Sequence, residues 1–471
     1  MKSFIREQTM GAVACIAIAG WATGCDSAAP DDSAGGSGQL TTIGTAGAGD
    51  TDTDTAGSAS ASDSNASASA SGTSGASATA SASDSASASA SASDSDSASA
   101  SDTSPGTGPV FDIGIPPDGG SGCGSGNGGG GGTDFSYIWI ANSNEGTISK
   151  VNTQTLVEEG RYQVRPDGGG SPSRTSVNLN GDVVVASRLG GLTKFAARTE
   201  DCPDPNNTST GPGDVKPWPD GCMLWHTPFT TDSQRPVAWS QGEFNDSTCQ
   251  YENMKVWTST HNNGTDVAEI YRVNGDTGMI EEQVDVSGVR THVFGLYGAA
   301  ADSEGNMWAS ELGVGLLVNV DLETMAVRTW PMAAGGYGMT VDSNGFVWTC
   351  SSQVARFDPV TETWQTSASL SSSGNGCMED GNGTLWVAAE DFVGVDANTL
   401  METQVIDIPA RVRGVSFDFE GFIWGPSINS NEAYRVDPAT LQVDTVTGFN
   451  YPYTYSDMTG FALSNAGTPS G

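Results

Sequence analysis

Four stretches of the chain repeat one arrangement of apolar, small and polar positions. They are Tyr297-Gly-Ala-Ala-Ala-Asp302-Ser-Glu-Gly305-Asn-Met-Trp308, Tyr337-Gly-Met-Thr-Val-Asp342-Ser-Asn-Gly345-Phe-Val-Trp348, Asn375-Gly-Cys-Met-Glu-Asp380-Gly-Asn-Gly383-Thr-Leu-Trp386 and Arg413-Gly-Val-Ser-Phe-Asp418-Phe-Glu-Gly421-Phe-Ile-Trp424. Each holds two short runs separated by Asp-x-x-Gly. Short runs bounded by such punctuation read as β-strands, the Asp capping the turn and the Gly supplying its positive φ. Ten to thirteen residues further on comes a second turn of the form Asp/Asn-x-x-Thr, as at Asn152–Thr155, Asp321–Thr324, Asp358–Thr361, Asp396–Thr399 and Asp437–Thr440. Each unit is therefore four strands. The tryptophans stand 40, 38 and 38 residues apart, and a fixed period near 40 marks a repeat architecture.

Three weaker units complete the set. Trp139 and Trp257 anchor two of them, and Arg174-Thr-Ser-Val-Asn-Leu-Asn180-Gly-Asp-Val-Val-Val185 occupies the same register without a Trp. The first unit, at Ile138–Ala141, lacks an opening strand. Thr459-Gly-Phe-Ala-Leu-Ser464-Asn-Ala-Gly467 reads as that missing strand and its turn. The fold class expected is all-β: a seven-bladed β-propeller over residues 134–471, with four-stranded blades and a C-terminal strand closing the first, which leaves no radial gap. A six- or eight-bladed ring is the alternative. A large ring at one position of successive second strands fills the gap between blades, so the tryptophans are read as core.

The N-terminal third reads differently. Lys2 and Arg6 precede an uncharged stretch from Met10 to Gly24, the layout of a secretory signal over residues 1–24. It ends Ala22-Thr23-Gly24-Cys25, so Cys25 is the expected lipidation site of an exported, membrane-anchored lipoprotein of the bacterial cell envelope. Residues 25–133 are mostly Ser, Ala, Gly, Thr and Asp, with hardly a bulky side chain before Val110 and Phe111. The segment is expected to be a disordered acidic tether with an r.m.s. reach of about 50–60 Å.

The whole chain has 471 residues and a net charge of -37, and residues 134–471 alone carry 17 basic and 42 acidic side chains. Such acidity excludes nucleic acid as a partner. No apolar run is long enough to span a bilayer, so contact with a membrane is expected through the lipid alone. Of the eight cysteines, Cys15 lies in the signal and Cys25 is the anchor. An even set remains, as disulfides in an oxidising compartment require. Cys202 and Cys222 bracket an insertion in the second unit. Cys350 and Cys377 fall toward the same face of neighbouring units. Those two pairs are expected, and Cys123 and Cys249 are left over.

Propeller geometry places the residue before each opening Gly at one end of the axis. There the alignment collects Arg174, Arg235, Tyr297, Tyr337, Asn375, Arg413 and Thr459, all hydrogen-bond donors. A polar mouth of this kind suits an anionic or hydrogen-bonding ligand, Arg offering paired donors to carboxylate or phosphate. The alternative is that these arginines pair with carboxylates across blades. His261 and His292 are the candidates for a base or ligand.

The units Gly298–Trp308 and Gly338–Trp348 resemble blades of the virginiamycin B lyase-like and NHL-type propellers, whose pattern runs roughly Gly-x-x-x-Asp-x-x-Gly-x-Leu-Trp-Phe-Thr-Glu. Trp308-Ala-Ser-Glu311 keeps the final Glu. The resemblance implies a metal-assisted lyase, with Mg2+ as cofactor and Glu311 and Glu390 as candidate metal ligands. It departs from that pattern where the chemistry lies: no Glu-x-His occurs in the chain. The first expectation is therefore a binding or scaffold module for a small molecule, peptide or surface protein at the axial mouth, and the lyase is the alternative.

Overall fold

The computed structural model describes residues 136–467, apart from residues 246, 291–293 and 373. The signal, Cys25, the tether, Cys123 and His292 lie outside the described residues.

Seven antiparallel sheets form the blades of a propeller. Blade 1 holds Tyr137–Asn142, Thr147–Asn152 and Glu158–Gln163. Blade 2 opens with Pro172–Val177 and ends with Met223–Thr227; blade 3 runs from Ser233–Trp239 to Ile280–Ser287. Blades 4 to 7 open with Leu296–Ala301, Gly338–Val341, Cys377–Glu379 and Ser416–Phe417. From blade 2 onward, the opening strand of each blade touches that of the next and so lines the axis. Glu243–Asn245 and Gln250–Glu252 form a separate hairpin inserted in blade 3.

The Asp-x-x-Gly…Trp pattern has a shared cause. In blade 5, Oδ1 of Asp342 accepts the backbone N–H groups of Asn344 and Phe346, both at 2.9 Å, and Oδ2 accepts the indole N–H of Trp348 at 2.7 Å. Asp302, Asp380 and Asp418 bind Trp308, Trp386 and Trp424 in the same way. One carboxylate thus shapes the turn and orients the indole. Each indole then packs on the next blade: Trp257 against blade 4, Trp308 against blade 5, Trp348 against blade 6, Trp424 against blade 1. Blade 2 has no Trp at this position, and Trp225 and Trp239 fill the space beside Val184 instead.

Burial raises the pKa of all four aspartates, that of Asp418 to about 7. An unfolded Asp ionises near pH 4, so between those values the folded chain keeps a proton that the unfolded chain has lost. The stability that Asp418 contributes is therefore full at low pH and falls as pH rises through about 7. Urea melts of wild type and Asp418→Asn should show their stability difference shrinking from pH 4 to pH 8. A difference independent of pH would place the ionisation of Asp418 in the ordinary range.

Two disulfides stand at the expected pairs, Cys202–Cys222 and Cys350–Cys377. Cys249 is also disulfide-bonded. Within the loop that the first bond closes, the buried Asp220 accepts from Ser209 N, Cys222 N and the Thr208 hydroxyl.

The closure of blade 1 differs from expectation in its residues. Phe461–Asn465 is a short helix, not a strand. The stretch just before it lies along the open edge of Tyr137–Asn142. Trp139 N donates to Met458 O, Ala141 N to Thr454 Oγ1 and Ser143 N to Tyr451 O. The reason for the shift is Asp457. Its carboxylate accepts the N–H groups of Thr459, Gly460 and Leu463, and Gly460 turns at φ 91°. That bend ends the extended run. Ser464 stands where the repeat has Asp, so no strand-joining turn follows. The helix instead closes the lower end of the axis, where Gln241 donates to Leu463 O, Asn465 to Glu379 and Gly467 N to Asp342 O.

Candidate functional site

At the upper end of the axis, where the opening strands begin, the C-terminal stretch Tyr451–Tyr455 enters among side chains from several blades. Tyr297, Tyr337, Tyr453 and Tyr455 form one buried cluster. The hydroxyl of Tyr453 is its hub, 2.8 Å from that of Tyr297, 2.5 Å from that of Tyr337 and 3.4 Å from that of Tyr455. Burial pushes the Tyr337 phenol well above its usual range, so its hydroxyl stays neutral and can both give and take a hydrogen bond.

Arginines surround this cluster. Arg174 lies over the rings of Tyr297 and Tyr455, Arg235 over Phe294 and Tyr297, Arg188 over Tyr453 and Arg413 beside Tyr337. Arg174 donates to Tyr297 O at 2.5 Å and to Tyr455 O at 3.4 Å, and Arg413 donates to the Asn375 side chain at 2.9 Å. Neither Arg174 nor Arg413 has a carboxylate partner among the described residues, and the Nε of each is buried without an acceptor. Burial pulls the pKa of Arg174 down to about 9, which leaves it charged at neutral pH. Contact with an aromatic face returns about 2 kcal/mol of the several that burying a lone guanidinium costs.

Six of the seven expected mouth residues therefore meet around one point: Arg174, Arg235, Tyr297, Tyr337, Asn375 and Arg413. All six are buried, Arg413 the most exposed at 8%, and what they enclose is the chain's own C-terminal stretch. Thr459 is not among them. It lies further down the axis, bonded to Phe417 O and to Ser416, because the closing stretch runs four residues earlier than the repeat pattern places it. Tyr455 takes its place. Arg174 is also shifted by one. It pairs with Ala186 as Gly298 pairs with Ser310, so it occupies the glycine position of its blade rather than the position before it.

Tyr453, Tyr455 and Arg188 escaped the sequence reading. A signal for the tyrosines exists in Tyr451-Pro-Tyr-Thr-Tyr455, which gathers three of the chain's ten tyrosines in five residues.

The other candidates lie around this end of the ring. Glu311 is buried, and its oxygens accept Arg290 N at 2.8 Å, Leu316 N at 2.7 Å and Arg290 Nε at 3.4 Å. Glu390 is exposed and paired with Arg411 at 2.8 Å. A guanidinium against each carboxylate does not fit a divalent cation. Among the described residues no three His, Cys, Asp or Glu side chains are grouped to hold a metal. His261 is buried, its Nδ1 bonded to Val267 O at 3.1 Å and its Nε2 without a partner.

No protein-family profile matches the chain, and no curated protein matches it by sequence. Its fold is similar to solved structures. One is virginiamycin B lyase from Staphylococcus aureus, at 13% identity and a TM-score of 0.43, covering 59% of this chain and 84% of that one. Another is apo AztD from Citrobacter koseri, at 11% identity and 0.45, covering 68% and 96%. A third is a putative 6-phosphogluconolactonase from Bacteroides uniformis, at 12% identity and 0.48, covering 68% and 98%. At these values the similarity concerns the propeller alone and assigns no chemistry.

Proposed function

We propose that the chain is an exported, lipid-anchored binding module. In this reading Cys25 carries the lipid, residues 25–133 are the tether, and the propeller from residue 134 takes an anionic ligand at its upper axial mouth. One observation carries the ligand class. Arg165, Arg174, Arg188, Arg235, Arg290, Arg411 and Arg413 gather at this end, seven of the 17 basic residues in a domain with 42 acidic ones, with Asp167, Glu311 and Glu390 paired to three of them. A concentration of guanidinium against so acidic a background draws and orients anions.

The test is a thermal-shift screen of the full chain against carboxylates, phosphate esters and sulfate esters, followed by calorimetric titration of whatever shifts it. A ligand bound at the rim of this mouth should lose at least about tenfold in affinity in Arg290→Gln, whose side chain is 32% exposed, since a charge-assisted hydrogen bond is worth about 1.5–3 kcal/mol. A screen without a shift, or a ligand indifferent to Arg290, would count against the mouth.

The anchor is tested separately. Cys25→Ser should move the protein from the membrane fraction to the soluble one, and deletion of residues 26–120, which keeps Cys123, should leave the melting temperature unchanged. Continued membrane fractionation of Cys25→Ser would overturn the lipid assignment.

A further inference from the structure

We propose that the axis also holds a resident halide-sized anion, sealed against Arg174 beneath the tyrosines. The inference rests on Arg174 and the cavity beside it, not on a ligand docking at the mouth.

The first ground is charge. Arg174 is 1% exposed and remains a cation. Among the described residues its contacts are two backbone carbonyls and two aromatic rings, with no carboxylate. The nearby Arg235 is a like charge that works against it. Its Nε–H is buried and bonded to nothing. A guanidinium cannot escape this position by losing its proton at neutral pH.

The second ground is space. Arg174 borders a cavity of about 10 Å³, lined with it by Gly298, Gly338, Gly376, Tyr455 and Ser456. That is room for one guest about the size of a water molecule, and too little for a carboxylate or phosphate. The glycines keep the strands this close. A Cβ on Gly338 would come 2.5 Å from Gly376 Cα, and one on Gly376 would come 3.0 Å from Arg413 O. Arg174 stands at the same position of its own blade and is the one side chain there that reaches the axis as a charge.

A water in this cavity would leave the charge of Arg174 uncompensated. A monatomic anion answers both grounds, so the guest is assigned as a halide, with chloride the probe.

The experiment uses the full chain, purified without halide. Crystals grown with bromide, measured at the bromine edge, should show one anomalous peak beside Arg174 Nε. In solution, raising chloride from 1 to 100 mM at constant ionic strength, with gluconate as the replaced ion, should raise Tm by about 3–5 °C. Arg174→Met should flatten that series. If Arg174→Met does not fold, the bromide peak in the wild-type protein decides. Absence of the peak together with equal Tm in chloride and gluconate would overturn the proposal and leave a water as the guest. A failed screen for organic anions at the mouth would leave both readouts unaffected, so the two readings fail separately.

Discussion

Deleting residues 451–471 should yield insoluble or rapidly proteolysed protein, a far larger loss than the short segment's size suggests. These residues give blade 1 its fourth edge, through Met458 O, Thr454 Oγ1 and Tyr451 O. Without them the N–H groups of Trp139, Ala141 and Ser143 lose their acceptors in a buried strand, each orphan costing about 1–3 kcal/mol. The same cut removes Tyr453 and Tyr455 from among the arginines, leaving buried cations against an open hole. A shorter deletion, from Thr459 onward, separates the two contributions. It keeps the edge pairing but exposes the surroundings of Phe461 and Leu463, which are 3% and 5% exposed. At about 1.5–3 kcal/mol for each buried apolar side chain, that variant should fold with a stability lower by about 3–6 kcal/mol. Limited proteolysis and urea melts of both deletions distinguish the outcomes. A soluble chain ending at residue 450 with an unchanged melting temperature would show that the ring closes without this stretch.

Trp348→Ala should be among the most damaging single substitutions. The indole is fully buried against blade 6, and removing it costs about 3–5 kcal/mol in lost transfer and cavity terms. It also strands the Oδ2 of Asp342, whose only side-chain donor among the described residues is that indole, for about 1–3 kcal/mol more. Trp348→Phe divides the two effects, since it retains most of the apolar surface and removes the N–H. Its cost should fall to about 1–3 kcal/mol, and most of that should vanish when Asp342 is replaced as well. A Trp348→Phe variant as stable as wild type would show that the carboxylate serves the turn alone.

The repeat, the number of blades and the roles of Asp342, Gly345 and Trp348 were legible because each is a local matter. A turn, the strand after it and the Trp that ends the pattern lie within a dozen residues and recur, whereas the indole bond to the turn's carboxylate shows only in the structure. The disulfide Cys350–Cys377 was legible because the repeat register brings neighbouring strands to one face, and Cys202–Cys222 because the pair brackets a single insertion. The closing segment was not. Thr459–Gly467 imitates the spacing of an opening strand, but the hydrogen bonds of Asp457 and the left-handed turn at Gly460 bend the chain into a helix. The strand edge of blade 1 therefore took the residues ahead of it.

For the site, the amino-acid sequence determined which residue types crowd the upper end of the ring, because strand polarity and repeat register place them there. It did not determine that they are covered. That depends on where the C-terminal stretch runs after the ring has closed, a contact between residues as far apart as Arg174 and Tyr455. Only the tertiary structure decided that Tyr453 and Tyr455 fill the mouth, that Arg174 stands at the glycine position, and that a buried cation borders a cavity of a single guest's size. Pairing register and axial packing are set by the whole ring, and no local pattern carries them.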